Sequence, residues 1–203
     1  MGRRDAVAAI VLAGGASSRF GADKLAEELD GRPLLHHALV AVDAVAGVVV
    51  AVLAAGADLP PVPSLGARLI VAHDAVSHQG PLAGLAAGLA SLPPGIDRVL
   101  LVGGDMPSLV PEVLEALLAA LDADPALGAA TLEAEPNAVL PMGIRPALVA
   151  PAAASLLAEG RRALRGVLGR VRSAEVPASA WRRLDPVAQT LHDVDTRDDL
   201  SAR

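Results

Sequence analysis

Apolar residues along this chain fall in short blocks punctuated by glycine, proline and charge. Ala6 to Leu12 is a continuous apolar block with Val and Ile, predicted as a strand covered on both faces. From Pro33 the spacing changes. Leu34, Leu35, Ala38, Leu39, Val42 and Val45 recur at near-helical intervals, predicting a helix with Pro33 in its first turn. Val48 to Leu53 is a second buried strand, so strand, loop, helix and strand make a βαβ unit and a parallel sheet. Gly56 to Pro63, with three prolines, reads as an irregular connection. Arg68 to Ala72 is a short strand ending at His73-Asp74, and Gly80-Pro81 opens a helix to about Leu92. Arg98 to Val102 is the next strand, followed from Pro111 by a helix with Val113, Leu114, Leu117, Leu118 and Leu121 on its apolar face. Beyond it, Gly128 to Leu132 and Ala138 to Ile144 are expected strands and Ala147 to Glu159 a helix. Thr190 to Val194 is an expected last strand, and Asp195-Thr196 opens a helix with an S/T-x-x-D/E box. With no repeat or linker, residues 1–203 are expected to form one α/β domain.

Composition narrows the partners. Phe20 and Trp181 are the only aromatics and the net charge is −6, which leaves neither stacking platforms nor a basic footprint for nucleic acid. There is no cysteine, so thiolate metal sites and cysteine nucleophiles are excluded. Ala38 to Ala57 carries a single charge, Asp43, and is long enough to cross a bilayer. Gly47 and the Val48-Val49-Val50 run argue instead for helix, turn and strand. No signal-peptide pattern precedes the first strand. The expectation is a cytoplasmic protein with no membrane contact.

The first strand runs into Gly14-Gly15-Ala16-Ser17-Ser18-Arg19-Phe20-Gly21-Ala22-Asp23-Lys24. Glycines let backbone N–H groups turn toward an anion, and Arg19 and Lys24 place positive charge on either side of that concavity. The loop suits a nucleoside triphosphate. It is not a Walker A loop, because five residues separate Gly15 from Gly21 and Ala22-Asp23 precede Lys24. It is not the dinucleotide pattern either, because Gly14 and Gly15 are adjacent.

Three acidic positions are candidates for chemistry. Asp105 follows a buried strand in Gly103-Gly104-Asp105-Met106-Pro107, at the sheet edge where open parallel sheets bind ligands. Beside a triphosphate it suits Mg²⁺, which takes one or two carboxylates plus phosphate oxygens; a turn cap is the plainer role. Asp193 and Asp195 form a D-x-D pair in which Asp195 is either a second metal contact or a helix cap. Asp74 sits just before Gly80-Pro81-Leu82-Ala83-Gly84, whose glycines suit a helix start approached closely by a ligand. His36, His37, His73, His78 and His192 lack ligand spacing, and Ser17 and Ser18 lack a nucleophile elbow. Arg161, Arg162, Arg165, Arg170 and Arg172 form a basic segment, which on its residues alone reads as a solvated face.

The run Leu12 to Lys24, in the form L-A-G-G-x-S-x-R-F-G-x-D-K, is similar to the N-terminal signature of sugar-phosphate-type nucleotidyltransferases, and most resembles the molybdenum cofactor guanylyltransferase (MobA-like) branch. Gly80 to Leu85, Asp105 and the D-x-D-T ending extend the resemblance over nearly the whole chain. It implies a three-layer α/β/α, Rossmann-like nucleotidyltransferase fold with a mostly parallel sheet. It implies transfer of GMP from GTP to molybdopterin with Mg²⁺ and release of pyrophosphate. Arg19, Lys24 and Asp105 would then be catalytic, and Leu12, Ala13, Gly14, Gly15, Lys24, Asp74 and Gly80 would bind nucleotide. Asp105 and Asp195 would hold metal, and the Arg161-Arg162 segment would face the pterin phosphate. The Gly14-Gly15 pair is the guanylyl branch's form, where cytidylyl relatives carry Ala-Gly. Two departures touch substrate recognition: Ala51 replaces an expected asparagine, and Leu140-Pro141 replaces a Gln-Pro or His-Pro dipeptide. A related cytidylyltransferase or sugar-phosphate transferase, and a non-catalytic nucleotide-binding protein, remain as alternatives.

Overall fold

In the computed structural model, residues 3–14, 24–74, 80–194 and 196 are described. The strands are β1 (Val7–Ala13), β2 (Glu28–Leu29), β3 (Arg32–Pro33), β4 (Val48–Leu53), β5 (Arg68–His73), β6 (Arg98–Gly103), β7 (Ala129–Leu132), β8 (Met142–Ile144) and β9 (Ser173–Val176). The helices are α1 (Leu34–Asp43), α2 (Pro81–Ala90), α3 (Pro111–Ala123), α4 (Pro146–Ala158) and the short α5 (Arg165–Leu168) and α6 (Ala178–Trp181). Seven strands form one sheet in the order β5-β4-β1-β6-β8-β7-β9, and β2 and β3 make a separate two-stranded ladder. Within the large sheet β8 alone runs against its neighbours β6 and β7, and the other pairings are parallel. The expected mostly parallel α/β fold is the one observed.

Alternation along β1 explains the layers. Val7, Ala9 and Val11 join one core with Leu34, Leu35, Leu39 and Val42 of α1 and Leu114, Leu117 and Leu121 of α3. Ala8 and Ile10 turn to the opposite face, where Leu82 and Leu85 of α2 and Val149, Ala153 and Leu156 of α4 form a second core. A central strand is therefore apolar at nearly every position, which is why β4 reads as an unbroken apolar run and β6 as one preceded only by the buried Arg98, paired with Asp122 at 2.9 Å. The apolar Ala38 to Ala57 run divides as expected: α1 ends at Asp43 and β4 begins at Val48. Among the described residues no helix is long and apolar enough to cross a membrane.

The C-terminal third departs from the expected pattern. The Ala138 to Ile144 strand contracts to β8, three residues long. Thr190 to Val194 is not a strand, because Gln189–Leu191 form a 3-10 turn. The cause is local: the buried Asp185 carboxylate accepts hydrogen bonds from the N–H groups of Gln189 (3.1 Å) and Thr190 (2.8 Å), closing the turn. Strand β9 and helix α6 were not expected. Helix α6 carries Trp181, fully buried, with its indole N–H donating to Glu133 O at 3.0 Å. Pro33 caps α1 from outside instead of starting its first turn. The helix expected from Asp195 lies outside the described residues.

Candidate active site at the carboxyl ends of β1 and β6

Strand β1 has β4 and β5 on one side and β6 on the other, so the chain reverses its winding direction at the β1–β6 pair. Such a switch point leaves a crevice at the strands' carboxyl ends. Gly14 follows β1 and Asp105 follows β6, so both stand at this crevice. Here lies a cavity of about 410 Å³ lined by Leu12, Gly14, Val52, Leu53, Asp74, Gly80, Pro81, Gly84, Gly103, Asp105 and Leu140. Its volume falls within the range of small-ligand pockets.

Each wall has a local reason. A Cβ on Gly14 would stand 3.0 Å from Ala54 N and 3.1 Å from Leu53 C, so the backbone of β4 leaves no space for a side chain there. The Gly104 N–H donates to Leu12 O at 2.9 Å, carrying the β1–β6 pairing one step beyond the strands. Gly103 lets the next turn fold back: a Cβ there would lie 2.4 Å from Asp105 Oδ1. The Asp74 N–H donates to Leu53 O at 2.9 Å, fixing the aspartate just past β5. Gly80 has φ +81°, in the left-handed region, and faces the Arg162 backbone, whose carbonyl accepts from the Leu82 N–H at 3.1 Å.

Lys24 is the cation at the crevice. It begins a short 3-10 turn, Lys24–Ala26, anchored by the buried Leu25, which packs toward Gly104. Its Nζ donates to Asp105 Oδ2 at 2.9 Å, with the two side chains 13% and 32% exposed. The second Asp105 oxygen lies over Gly103. From the far side, the Val194 N–H donates to the Asp105 carbonyl at 2.9 Å, tying the C-terminal segment to this loop.

Of the expected site residues, Leu12, Gly14, Asp74, Gly80 and Asp105 line the cavity, Lys24 reaches it through Asp105, and Ala13 is the last residue of β1. Arg19, Gly15 and Asp195 lie outside the described residues. Ala51 is buried in mid-strand, paired with Val11 and Val71, and does not line the cavity, whereas Leu140 does. The apolar wall of Val52, Leu53 and Gly103 was missed by sequence reasoning; its only signal was its place at strand ends. The arginine segment divides. Arg162 abuts Gly80, Arg165 donates to Asn137 O at 2.7 Å, and Arg172 pairs with Asp124 at 3.1 Å. Arg170 pairs with Glu159 at 2.7 Å and, with the Ser155 hydroxyl, holds its carboxyl below the usual range. His37 and His73 bond to the Leu29 and Ala57 carbonyls, and His36 to that of Pro61.

No group of three or more histidines and acids able to hold a metal occurs among the described residues. Among the described cavity residues Asp74 and Asp105 are the carboxylates, and Mg²⁺ takes one or two carboxylates with its other ligands from phosphate and water.

Comparisons with known proteins agree with this geometry. The family model of the MobA-like NTP transferase domain matches residues 9–176. A probable molybdenum cofactor guanylyltransferase of Chloroflexus aggregans is 32% identical, over 94% of this chain and 90% of that one. A Pyrococcus horikoshii relative of the same name is 36% identical, and the match spans about half the length of each chain, 54%. Among solved structures, molybdopterin-guanine dinucleotide biosynthesis protein A of Archaeoglobus fulgidus matches with a TM-score of 0.74 at 22% identity, over 96% of this chain and 95% of that one. A Mycobacterium tuberculosis protein solved in complex with manganese matches with a TM-score of 0.59 at 20% identity, over 97% and 96%. At those identities the structural matches speak for the fold alone. The sequence matches go further: this chain belongs to the MobA-like NTP transferase family.

Proposed function

We propose that the chain is a molybdenum cofactor guanylyltransferase, moving GMP from GTP to molybdopterin. A phosphate oxygen of the acceptor attacks the α-phosphorus of GTP, the bond from that phosphorus to the bridging oxygen breaks, and pyrophosphate leaves with the electron pair. The observation that carries this reading is the Lys24–Asp105 ion pair at the rim of the β1–β6 crevice. It brings a phosphate-binding cation and a metal-binding carboxylate to one point, from positions far apart in sequence.

The chain's work is positioning and charge neutralisation. The backbone from Gly14 onward holds the phosphates, with Gly15 in the same loop. Arg19 and Lys24 offset charge at the α-phosphate and on the departing pyrophosphate. Leu12, Ala13, Asp74 and Gly80 border the nucleoside, the first and last two on the cavity wall. Asp105, with Asp195 as a second contact, would hold Mg²⁺, which would supply positive charge to offset that of the phosphates. An ionised acceptor phosphate needs no general base, consistent with the lack of an acid–base pair among the cavity residues. The acceptor would enter beside Arg161 and Arg162, next to Gly80.

A non-catalytic reading loses its main support once Ala51 is found inside the sheet. The identity of the triphosphate is tested by pyrophosphate release with GTP, CTP, ATP and UTP, each with Mg²⁺ and molybdopterin. GTP-selective release is expected. Preference for CTP would overturn the guanylyl assignment and leave the reaction class; no release with any of the four would overturn the acceptor.

A further inference from the structure

We infer that Lys24 keeps a divalent cation off Asp105 until the nucleotide arrives, so that metal and triphosphate enter together. The inference rests on the reading of Asp105 as the metal carboxylate and adds an order of binding to it.

The argument begins with what surrounds that carboxylate. Lys24 Nζ lies 2.9 Å from Oδ2, and Oδ1 is turned back over Gly103, where a Cβ would be only 2.4 Å away. The carboxylate at the crevice is thus one whose Oδ2 the ammonium holds. A cation approaching it meets a like charge at hydrogen-bonding distance, in a site sheltered enough that Lys24 is only 13% exposed. No cluster of three or more acids or histidines able to hold a metal exists among the described residues. A carboxylate held by an ammonium is a weak site for free metal.

A triphosphate changes both terms. Its oxygens attract the Lys24 ammonium away from Oδ2 and supply the ligands that the protein does not. Lys24 is suited to this exchange because its turn directly follows the glycine-rich loop in the sequence. Metal and nucleotide affinities must then be positively coupled, and by linkage each raises the other's by the same factor.

Mn²⁺ binding, read by electron paramagnetic resonance with no acceptor present, tests this in wild type, Lys24→Met, Lys24→Arg, Asp105→Asn and the Lys24→Met/Asp105→Asn double variant. Lys24→Met is expected to bind Mn²⁺ alone about tenfold or more tightly than wild type, the scale of one close charge interaction. Lys24→Arg, which keeps the charge, should bind it as weakly as wild type. Adding GTP should raise Mn²⁺ affinity strongly in wild type and by a smaller factor in Lys24→Met. Unchanged or weaker binding of Mn²⁺ alone by Lys24→Met, including no detectable binding, overturns the inference, as does an undiminished GTP effect. Asp105→Asn in the Lys24→Met background separates the two claims: if the tightened site survives it, Asp105 is not the ligand and the underlying reading fails as well. Thermal melts of each variant confirm that the folded protein is being compared.

Discussion

Gly14 shows how one position can couple fold to site. Its neighbours are backbone atoms of β4, Ala54 N at 3.0 Å and Leu53 C at 3.1 Å from where a Cβ would stand. Unlike a side chain, they cannot swing aside. Gly14→Ala must push β1 and β4 apart at the mouth of the cavity, and overpacking of this kind costs about 1–3 kcal/mol. Chemical denaturation should show that loss together with weaker nucleotide binding; Gly56→Ala, at a position with nothing within 4 Å, should leave nucleotide binding intact. The sequence made Gly14, Lys24 and Asp105 visible as residues suited to phosphate and metal. It could not show that Lys24 and Asp105 touch, because 81 positions separate them and only the parallel sheet brings them together.

At the level of elements, the segment after α6 behaves as a strap. Asp185, 1% exposed, closes the Gln189–Leu191 turn; the Thr190 hydroxyl accepts from the Val110 N–H at 3.1 Å; and the Val194 N–H reaches the Asp105 carbonyl. The strap therefore supports both the start of α3 and the loop bearing the candidate metal carboxylate. It extends past residue 176, where the family match ends. Asp185→Ala leaves two backbone donors without their acceptor and should destabilise the fold by about 1–3 kcal/mol in denaturant titrations. A loss within experimental error would mean that water replaces the carboxylate. This region was also the least legible. Thr190 to Val194 reads like a strand, but the deciding interaction is a side-chain cap from Asp185 upstream, which hydropathy does not encode. Strand β9 was hidden by the surrounding arginines: it lies at the sheet edge, where Ser173 and Glu175 can face water. The central strands were legible because burial on both faces leaves few polar positions to confuse the pattern, Arg98 at the start of β6 being one.

For the molecule as a whole, the strand order β5-β4-β1-β6 does what composition cannot. A chain of net charge −6 has no general attraction for a triphosphate, so recognition depends on where the sheet gathers its few cations. The switch point between β1 and β6 is that place: a glycine-lined mouth, one lysine, two aspartates and an apolar wall. The direct measurement is Mg²⁺-dependent pyrophosphate release from GTP with molybdopterin, for wild type and Asp105→Ala, beside metal-free GTP binding by both. Removing the carboxylate should lower turnover by roughly 10²–10³-fold, the scale of losing a principal electrostatic contact to the transition state, while GTP binding without metal is retained. An Asp105→Ala protein that releases pyrophosphate at the wild-type rate with the wild-type metal dependence would contradict a reaction centred on the β1–β6 crevice.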